Sequence, residues 1–421
     1  MRLLLVAAFF FRKELIMKKI LSIILAICLL RGCLTACGKD ETSVALETIE
    51  NPSTYEDYLN NAKIISLTQT GNTYRLKQAI EKAESGEDCN IVYIGGSITE
   101  GDGLETCYAY RSFTYFQEKF GKGDGSNVHY YNSGISGTPS TLGALRFEDD
   151  VEAYNPDIVF IEFAVNDSSS DEYYDAFESL IRDCLECESQ PAVILLFARM
   201  EEGWTSQDWK KEIGEYYDLP MISYADGITY MFDNGAMEWS DFSDDYTHPN
   251  ADGNAVVAEF IAYFFDEVDR LDGSTSDITI PDALYGCTYE NAHMLQHSTY
   301  EATDLGSWKK KSTGFHYSDG WTKTYDDSND PLVFTFTGTN AYVVYPTSSG
   351  SEYGTLEVKV YFNDELVNSE IFNEYDESGW LCPSVGILYK AEESGEFRVE
   401  FTAYGDNVKC DLQVLAVAYT D

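Results

Sequence analysis

Basic residues are scarce in this chain. Twenty-eight Lys and Arg stand against 72 Asp and Glu, giving a net charge of −44 over 421 residues. A surface of that sign repels phosphate backbones and anionic headgroups, which argues against nucleic acid as a partner. Histidine is scarcer still. Imidazole chemistry has only five candidates, His129, His248, His293, His297 and His316. No long apolar run follows residue 36, so nothing in the body is built to span a bilayer. No Lys-Ser/Thr follows Gly95-Gly96 and no G-x-G-x-x-G opens a helix, which removes the common nucleotide-binding signatures. Cysteine forms no complete framework. Beyond Cys28, Cys33 and Cys37 the chain holds seven, an odd number. Cys184 and Cys187 have C-x-x-C spacing without a second pair at zinc-site distance, so they read as two thiols on one helix face and no metal site is expected.

The first residues are of another kind. Lys18-Lys19 precede an apolar run over 20–30, and Leu34-Thr35-Ala36-Cys37 closes the segment. A basic region, a short apolar region and a small-residue cleavage site make a secretory signal. The apolar run is short for a membrane span. The segment resembles a bacterial lipoprotein signal, and Met17 alone would begin a well-formed one. That resemblance implies removal of residues 1–36, lipid on Cys37, and a protein held at the extracellular face of the cell membrane by its lipid alone.

Residues 37–70 are polar and acidic and read as a tether and lead-in. From 71 to 272 strands and helices alternate. Apolar runs at 91–95, 128–132, 157–163, 192–198 and 220–224 are expected strands. Helices fit near 108–120, 141–153, 172–188, 206–217 and 251–269. Uninterrupted apolar strands between helices predict a parallel α/β sheet covered on both faces. The pattern then changes. Residues 282–421 carry short period-two runs at 332–337, 341–345, 356–362, 385–389, 397–403 and 412–418, which predict a β-sandwich. Trp308, Trp321 and Trp380 in this region are candidates for glycan contact, or for its core.

Gly95-Gly96-Ser97-Ile98-Thr99 follows the first of these strands directly. A strand ending in two glycines and a serine places that hydroxyl at the carboxyl edge of the sheet, where open α/β sheets keep their chemistry. The serine needs a base. His129 lies inside a strand, and His293, His297 and His316 fall in the second region. His248 sits in a loop before the last α/β helix, in Asp245-Tyr246-Thr247-His248-Pro249. Asp245, three residues earlier, can orient its imidazole, with Asp244 as the alternative. Acyl transfer also needs donors for the developing oxyanion. The Ser97 N–H is one. Gly134, in Asn132-Ser133-Gly134, and Asn166, in Val165-Asn166-Asp167, follow other strands and are the further candidates.

These four blocks, in this order, resemble those of the SGNH/GDSL hydrolase superfamily, in its Gly-Gly-Ser-Ile-Thr branch, over residues 73–270. The first block departs from the Gly-Asp-Ser form. The resemblance implies a flavodoxin-like α/β/α three-layer fold, no cofactor or metal, and esterase activity through an acyl-enzyme. It makes Ser97 the nucleophile, Asp245 and His248 its activators, and Gly134 and Asn166 the partners of Ser97 in an oxyanion hole.

The substrate is less legible, because one fold and one triad serve many esters. An external tether, a β-rich module and the lack of a long apolar lid point to removal of small acyl groups, chiefly acetyl, from a polysaccharide. The acidic surface favours a neutral glycan. Two other readings stand beside this one: hydrolysis of longer lipid or thioester acyl chains, and a non-catalytic glycan-binding protein acting through residues 282–421, which could equally be a structural cap. Arg199, closing the fourth strand, is a candidate either for substrate contact or for pairing with a carboxylate.

Overall fold

The structure, a computed structural model, describes residues 46–421 except 102, 104, 313–318, 325–326, 351–352, 378 and 406–410. The signal segment, Cys37, His316 and Cys410 lie outside the described residues. Residues Ala45–Asp421 form one compact unit.

The α/β body begins earlier than the sequence suggested. Residues assigned to a lead-in form helix α1 (Tyr55–Ser66) and strand β1 (Leu67–Gln69). A capping box nucleates α1: the Thr54 side chain accepts the Asp57 N–H and the Asp57 side chain accepts the Thr54 N–H. There follow α2 (Tyr74–Ser85), β2 (Cys89–Gly95), α3 (Ser97–Glu100), α4 (Tyr108–Phe120), β3 (Val128–Gly134), α5 (Ser140–Leu145), α6 (Phe147–Asp150), β4 (Ile158–Glu162), α7 (Asp171–Glu186), β5 (Ala192–Phe197), α8 (Gln207–Tyr216), β6 (Met221–Ser223), α9 (Tyr224–Asp233), α10 (Trp239–Phe242) and α11 (Ala251–Arg270). Strand β2 is buried throughout apart from Asn90, and every residue of β4 and β5 is buried, as a sheet covered on both faces requires.

The sheet order is β1-β6-β5-β4-β2-β3. Five strands are parallel, and β1 closes one edge antiparallel to β6. Without β1 this is the flavodoxin-like order, in which the chain reverses direction between the first strand and its neighbours. Ser97 follows β2 at that reversal. No described helix is long and apolar enough to cross a membrane.

The second region has two antiparallel sheets. The larger joins β7 (Ala292–Leu295), β10 (Leu332–Ser348), β11 (Thr355–Phe362), β12 (Glu365–Asn373), β13 (Trp380–Ala403) and β15 (Ala416–Thr420); the smaller joins β8 (Lys309–Ser312), β9 (Asp319–Lys323) and β14 (Leu412–Val414). The expected strands at 332–337 and 341–345 are one strand, as are those at 385–389 and 397–403. In both, a register shift in the β10–β13 pairing at residues 338–340 and 390–395 bends the ribbon without breaking it. Trp308 and Trp321 are not on the surface. Both are buried among Phe334, Phe401, Val399 and Leu412, so they form core and present no ring to a glycan.

The two regions share a core. Tyr289, Ala292, Tyr342, Val344, Leu415, Ala416 and Ala418 are buried in one cluster with the side chains of the α/β body. Helix α7 holds the connecting segment through its own carboxylates. Glu178 accepts the N–H groups of Leu284, Tyr285 and Gly286 at 2.5, 2.5 and 3.1 Å. Asp175 accepts from Thr288 N–H at 2.8 Å and from the Lys390 ammonium at 3.2 Å. Asp183 accepts from Asn291 N–H at 3.0 Å. Cys184 and Cys187, at the end of this helix, are free and buried.

Candidate active site

Gly96 precedes the first turn of α3 in extended conformation. A Cβ there would lie 2.4 Å from Asn166 Oδ1, so only glycine lets the β4 loop close on the serine strand. Ser97 is then half-buried, with its hydroxyl facing the loop that ends before α11.

That loop is built by its own side chains. Ser243 Oγ accepts the Asp245 N–H at 3.1 Å and donates to the His248 carbonyl at 2.6 Å. Trp239 Nε1 donates to the Asp245 carbonyl at 2.6 Å. Asn250 caps α11 by accepting the N–H groups of Asp252 and Gly253, and the helix begins two residues after Pro249. Within this frame Asp245 Oδ1 accepts the N–H groups of Thr247 and His248, both at 2.7 Å. Asp245 Oδ2 is 2.7 Å from His248 Nδ1, and His248 Nε2 is 2.7 Å from Ser97 Oγ. Partial burial pushes the Asp245 carboxyl upward, but the hydrogen bonds from the His248 backbone, the His248 ring and Thr247 N–H outweigh it and hold it at about 2. Asp245 is therefore ionised at any working pH, with Nδ1–H of the imidazole donating to it. Asp244 is exposed and takes no part.

The candidate oxyanion donors divide. Asn166 Oδ1 is buried against Gly96 without a hydrogen-bond partner. This orientation leaves the Nδ2 amide free to donate beside Ser97. Gly134 does not serve as expected. It is buried, and its N–H donates to Asn132 Oδ1 at 2.9 Å. The reason for glycine there is packing: a Cβ on Gly134 would meet the Glu100 nitrogen at 2.1 Å. In the segment that follows, Ile135 N–H donates to Gly95 O, Ser136 N–H to Glu100 Oε2 and Thr138 N–H to Ile135 O. Gly137, exposed with φ of 71°, is the residue of this turn whose N–H no such bond consumes. Arg199 pairs with no carboxylate among the described residues. Its guanidinium donates to the carbonyls of Met200 and Glu201 and to Thr229 Oγ1, bracing the loop after β5.

Three groups behind the site gave no signal in the sequence. Glu162 ends β4 fully buried. Burial lifts its carboxyl to about 7, against the lowering effects of the Ala164 N–H and Lys210. Lys210, on α8, pairs with Asp167, and both side chains are buried. Burial draws the ammonium down to about 8, opposed by Asp167, so it stays cationic at neutral pH. Lys210 sits in Trp209-Lys210-Lys211, which reads as a solvent face, and only the tertiary contact shows otherwise. Among the remaining histidines, His129 pairs with Asp88 on the surface, His293 with Glu148 and Asp421, and His297 with Asp319. Among the described residues no group of three His, Cys, Asp or Glu side chains could hold a metal ion.

A flavodoxin-like sheet with a Ser–His–Asp relay at its carboxyl edge defines a hydrolase of the acyl-transfer class. The comparisons give the family. Residues 93–256 match the GDSL-like Lipase/Acylhydrolase family, and the α/β body of this chain is an SGNH/GDSL hydrolase domain. The likeness to a two-domain esterase (CEX) active on acetylated mannans, crystallised with mannopentaose, extends over both regions. It covers 85% of this chain and 98% of that one, with 27% identity and a TM-score of 0.75. A second crystal structure of a two-domain esterase active on acetylated mannans gives 28% identity, the same TM-score of 0.75 and the same coverage of 85% and 98%. No curated protein matches the chain.

Proposed function

We propose that this esterase removes small acyl groups, acetyl foremost, from a neutral polysaccharide through an acyl-enzyme on Ser97, and that a lipid on Cys37 holds it at the outer face of the membrane. The hydrogen-bonded line Ser97 Oγ–His248 Nε2 and His248 Nδ1–Asp245 Oδ2 carries the catalytic reading. As Ser97 Oγ attacks the ester carbonyl, His248 Nε2 takes its proton. Ionised Asp245 stabilises the imidazolium and keeps the ring oriented. The Ser97 N–H, the Gly137 N–H and Asn166 Nδ2 receive the developing oxyanion. Collapse of the tetrahedral intermediate expels the glycan alkoxide, which takes the proton from His248. Water, deprotonated by the same imidazole, then releases acetate.

The substrate reading rests on the likeness to esterases active on acetylated mannans, which spans the β-region as well as the hydrolase domain. Acetate release from acetylated mannan and xylan oligosaccharides by the wild type and Ser97→Ala tests it. We expect release with the wild type and none with the variant. Release that survives Ser97→Ala would sink the mechanism. A p-nitrophenyl ester series from acetyl to dodecanoyl should fall steeply with chain length, and a rise would transfer the reading to long-chain acyl esters.

A further inference from the structure

The pair Lys210–Asp167 lies behind the site, on a residue adjacent to Asn166. The Lys210 side chain is 1% exposed and that of Asp167 0%. Two charges so placed are expensive to desolvate, and well-packed apolar residues of the same volume often serve stability as well or better. The pair therefore calls for a reason other than stability.

Its hydrogen bonds supply one. Asp167 Oδ2 meets the Lys210 ammonium, and Asp167 Oδ1 accepts the Ser140 N–H at 2.8 Å. Ser140 opens α5, directly after the turn that carries Gly137. The turn itself is closed by Thr138, whose N–H and hydroxyl both donate to the Ile135 carbonyl, at 3.3 and 2.7 Å. On the other side, Asn166 and Asp167 N–H both donate to the Phe163 carbonyl at 3.2 Å. One carboxylate thus ties the Gly137 turn to the Asn166 turn. The ammonium holds that carboxylate in place, itself packed over the rings of Phe177 and Trp209 at 3.8 and 3.9 Å.

We propose that Asp167 and Lys210 are positioning residues that set the spacing between the Gly137 N–H and the Asn166 amide, and so the width of the oxyanion site. This rests on the acyl-transfer reading given above. Neither residue touches substrate.

The test uses the whole enzyme, p-nitrophenyl acetate and a fluorophosphonate. Lys210→Met strands a buried carboxylate. We expect kcat to fall by about 10- to 100-fold with KM within about 2-fold, the scale for a misplaced donor. The fluorophosphonate inactivation rate should fall in step, because it loads the same oxyanion site, while the acid limb of the pH profile stays in place, because His248 is untouched. Lys210→Met with Asp167→Asn removes both charges and keeps an oxygen for Ser140 N–H. It should recover activity to within about 3-fold of the wild type. Lys210→Met with Asp167→Leu fills the volume without an acceptor and should stay low. If the two double variants, both folded by thermal melt, are equally active, or if Lys210→Met keeps the wild-type kcat, the proposal is overturned. Ser97→Ala separates the two failures. Activity surviving Ser97→Ala removes the acyl-transfer reading, and with it this one. An inactive Ser97→Ala beside fully active pair variants removes only the positioning role.

Discussion

Asp245 holds His248 at two points: Oδ2 meets Nδ1 of the ring at 2.7 Å, and Oδ1 accepts the His248 backbone N–H at 2.7 Å. One carboxylate fixes both the loop and the tautomer. Asp245→Asn keeps the size but puts an amide where a carboxylate must receive Nδ1–H. We expect kcat on p-nitrophenyl acetate to fall by about 10³- to 10⁴-fold with KM little changed. A loss below about 10-fold would mean that another group orients the ring.

The same contacts set the pH dependence. Asp245 is held at about 2, so it is ionised through the working range and contributes no break to the activity profile above pH 4. The acid limb then reports one proton, that on the imidazole, which can act as base only when neutral. The sign for stability follows from the lowering. The contribution of Asp245 is fully present above its ordinary value of 3.8 and is lost as pH falls through about 2. Thermal melts of the wild type and Asp245→Asn at pH 7 and pH 2 should differ most at pH 7.

The oxyanion donors separate by mutation. Asn166→Ala removes the amide proposed as a donor to the oxyanion, and we expect a loss of about 2.7–4 kcal/mol of transition-state stabilisation, read from kcat/KM. Gly134→Ala is of another kind. Its Cβ would lie 2.1 Å from the Glu100 nitrogen, against backbone that cannot give. A lowered melting temperature is expected there, whereas a stable variant with only kcat reduced would restore Gly134 as a donor.

The β-region is expected to depend on the hydrolase domain. Expressed alone, residues 282–421 would expose Tyr342, Val344, Ala416 and Ala418, which are buried in the shared core. Dye binding by that fragment, or its aggregation, is the expected result, and a monodisperse, cooperatively melting fragment would refute it. In the whole protein, Glu178→Ala strands three N–H groups of the connecting segment, at about 1–3 kcal/mol for each that water cannot reach. Faster proteolysis within 284–291 would show the loosening.

The rings inside the β-sandwich can be weighed in the same way. Trp321 is fully buried, 4.8 Å from Phe334 ring to ring. Trp321→Ala should cost about 3–5 kcal/mol, visible in denaturant midpoints. A binding role without a packing role would leave the midpoint unchanged.

Much of this protein is local, and what is local could be read directly. A parallel strand buried on both faces must be apolar without alternation, so β2, β4 and β5 stand out in the sequence. A serine after such a strand falls at the sheet edge, and Asp245-x-x-His248 is close enough in the chain for a loop to join the two side chains. Helices α4, α7, α8 and α11 follow from their periodicity to within two residues. Two elements of the lead-in were lost: β1 has three residues, and α1 reads as acidic tether because its buried face is narrow, with Leu59, Asn61, Ala62 and Ser66.

What the sequence by itself determined is the order of the blocks, the serine at the sheet edge, the Asp245-x-x-His248 loop that meets it, and the change from α/β to β, because each depends on neighbours within a few residues. Tertiary structure alone decided which amide of the 132–138 segment stays free, whether Trp308 and Trp321 face glycan or core, what Arg199 bonds to, and that Lys210 is buried. In each case the outcome is a competition for hydrogen bonds and apolar cover among groups far apart in the chain. A glycine N–H is a donor to substrate only if no side chain has taken it first, and Asn132 has taken that of Gly134.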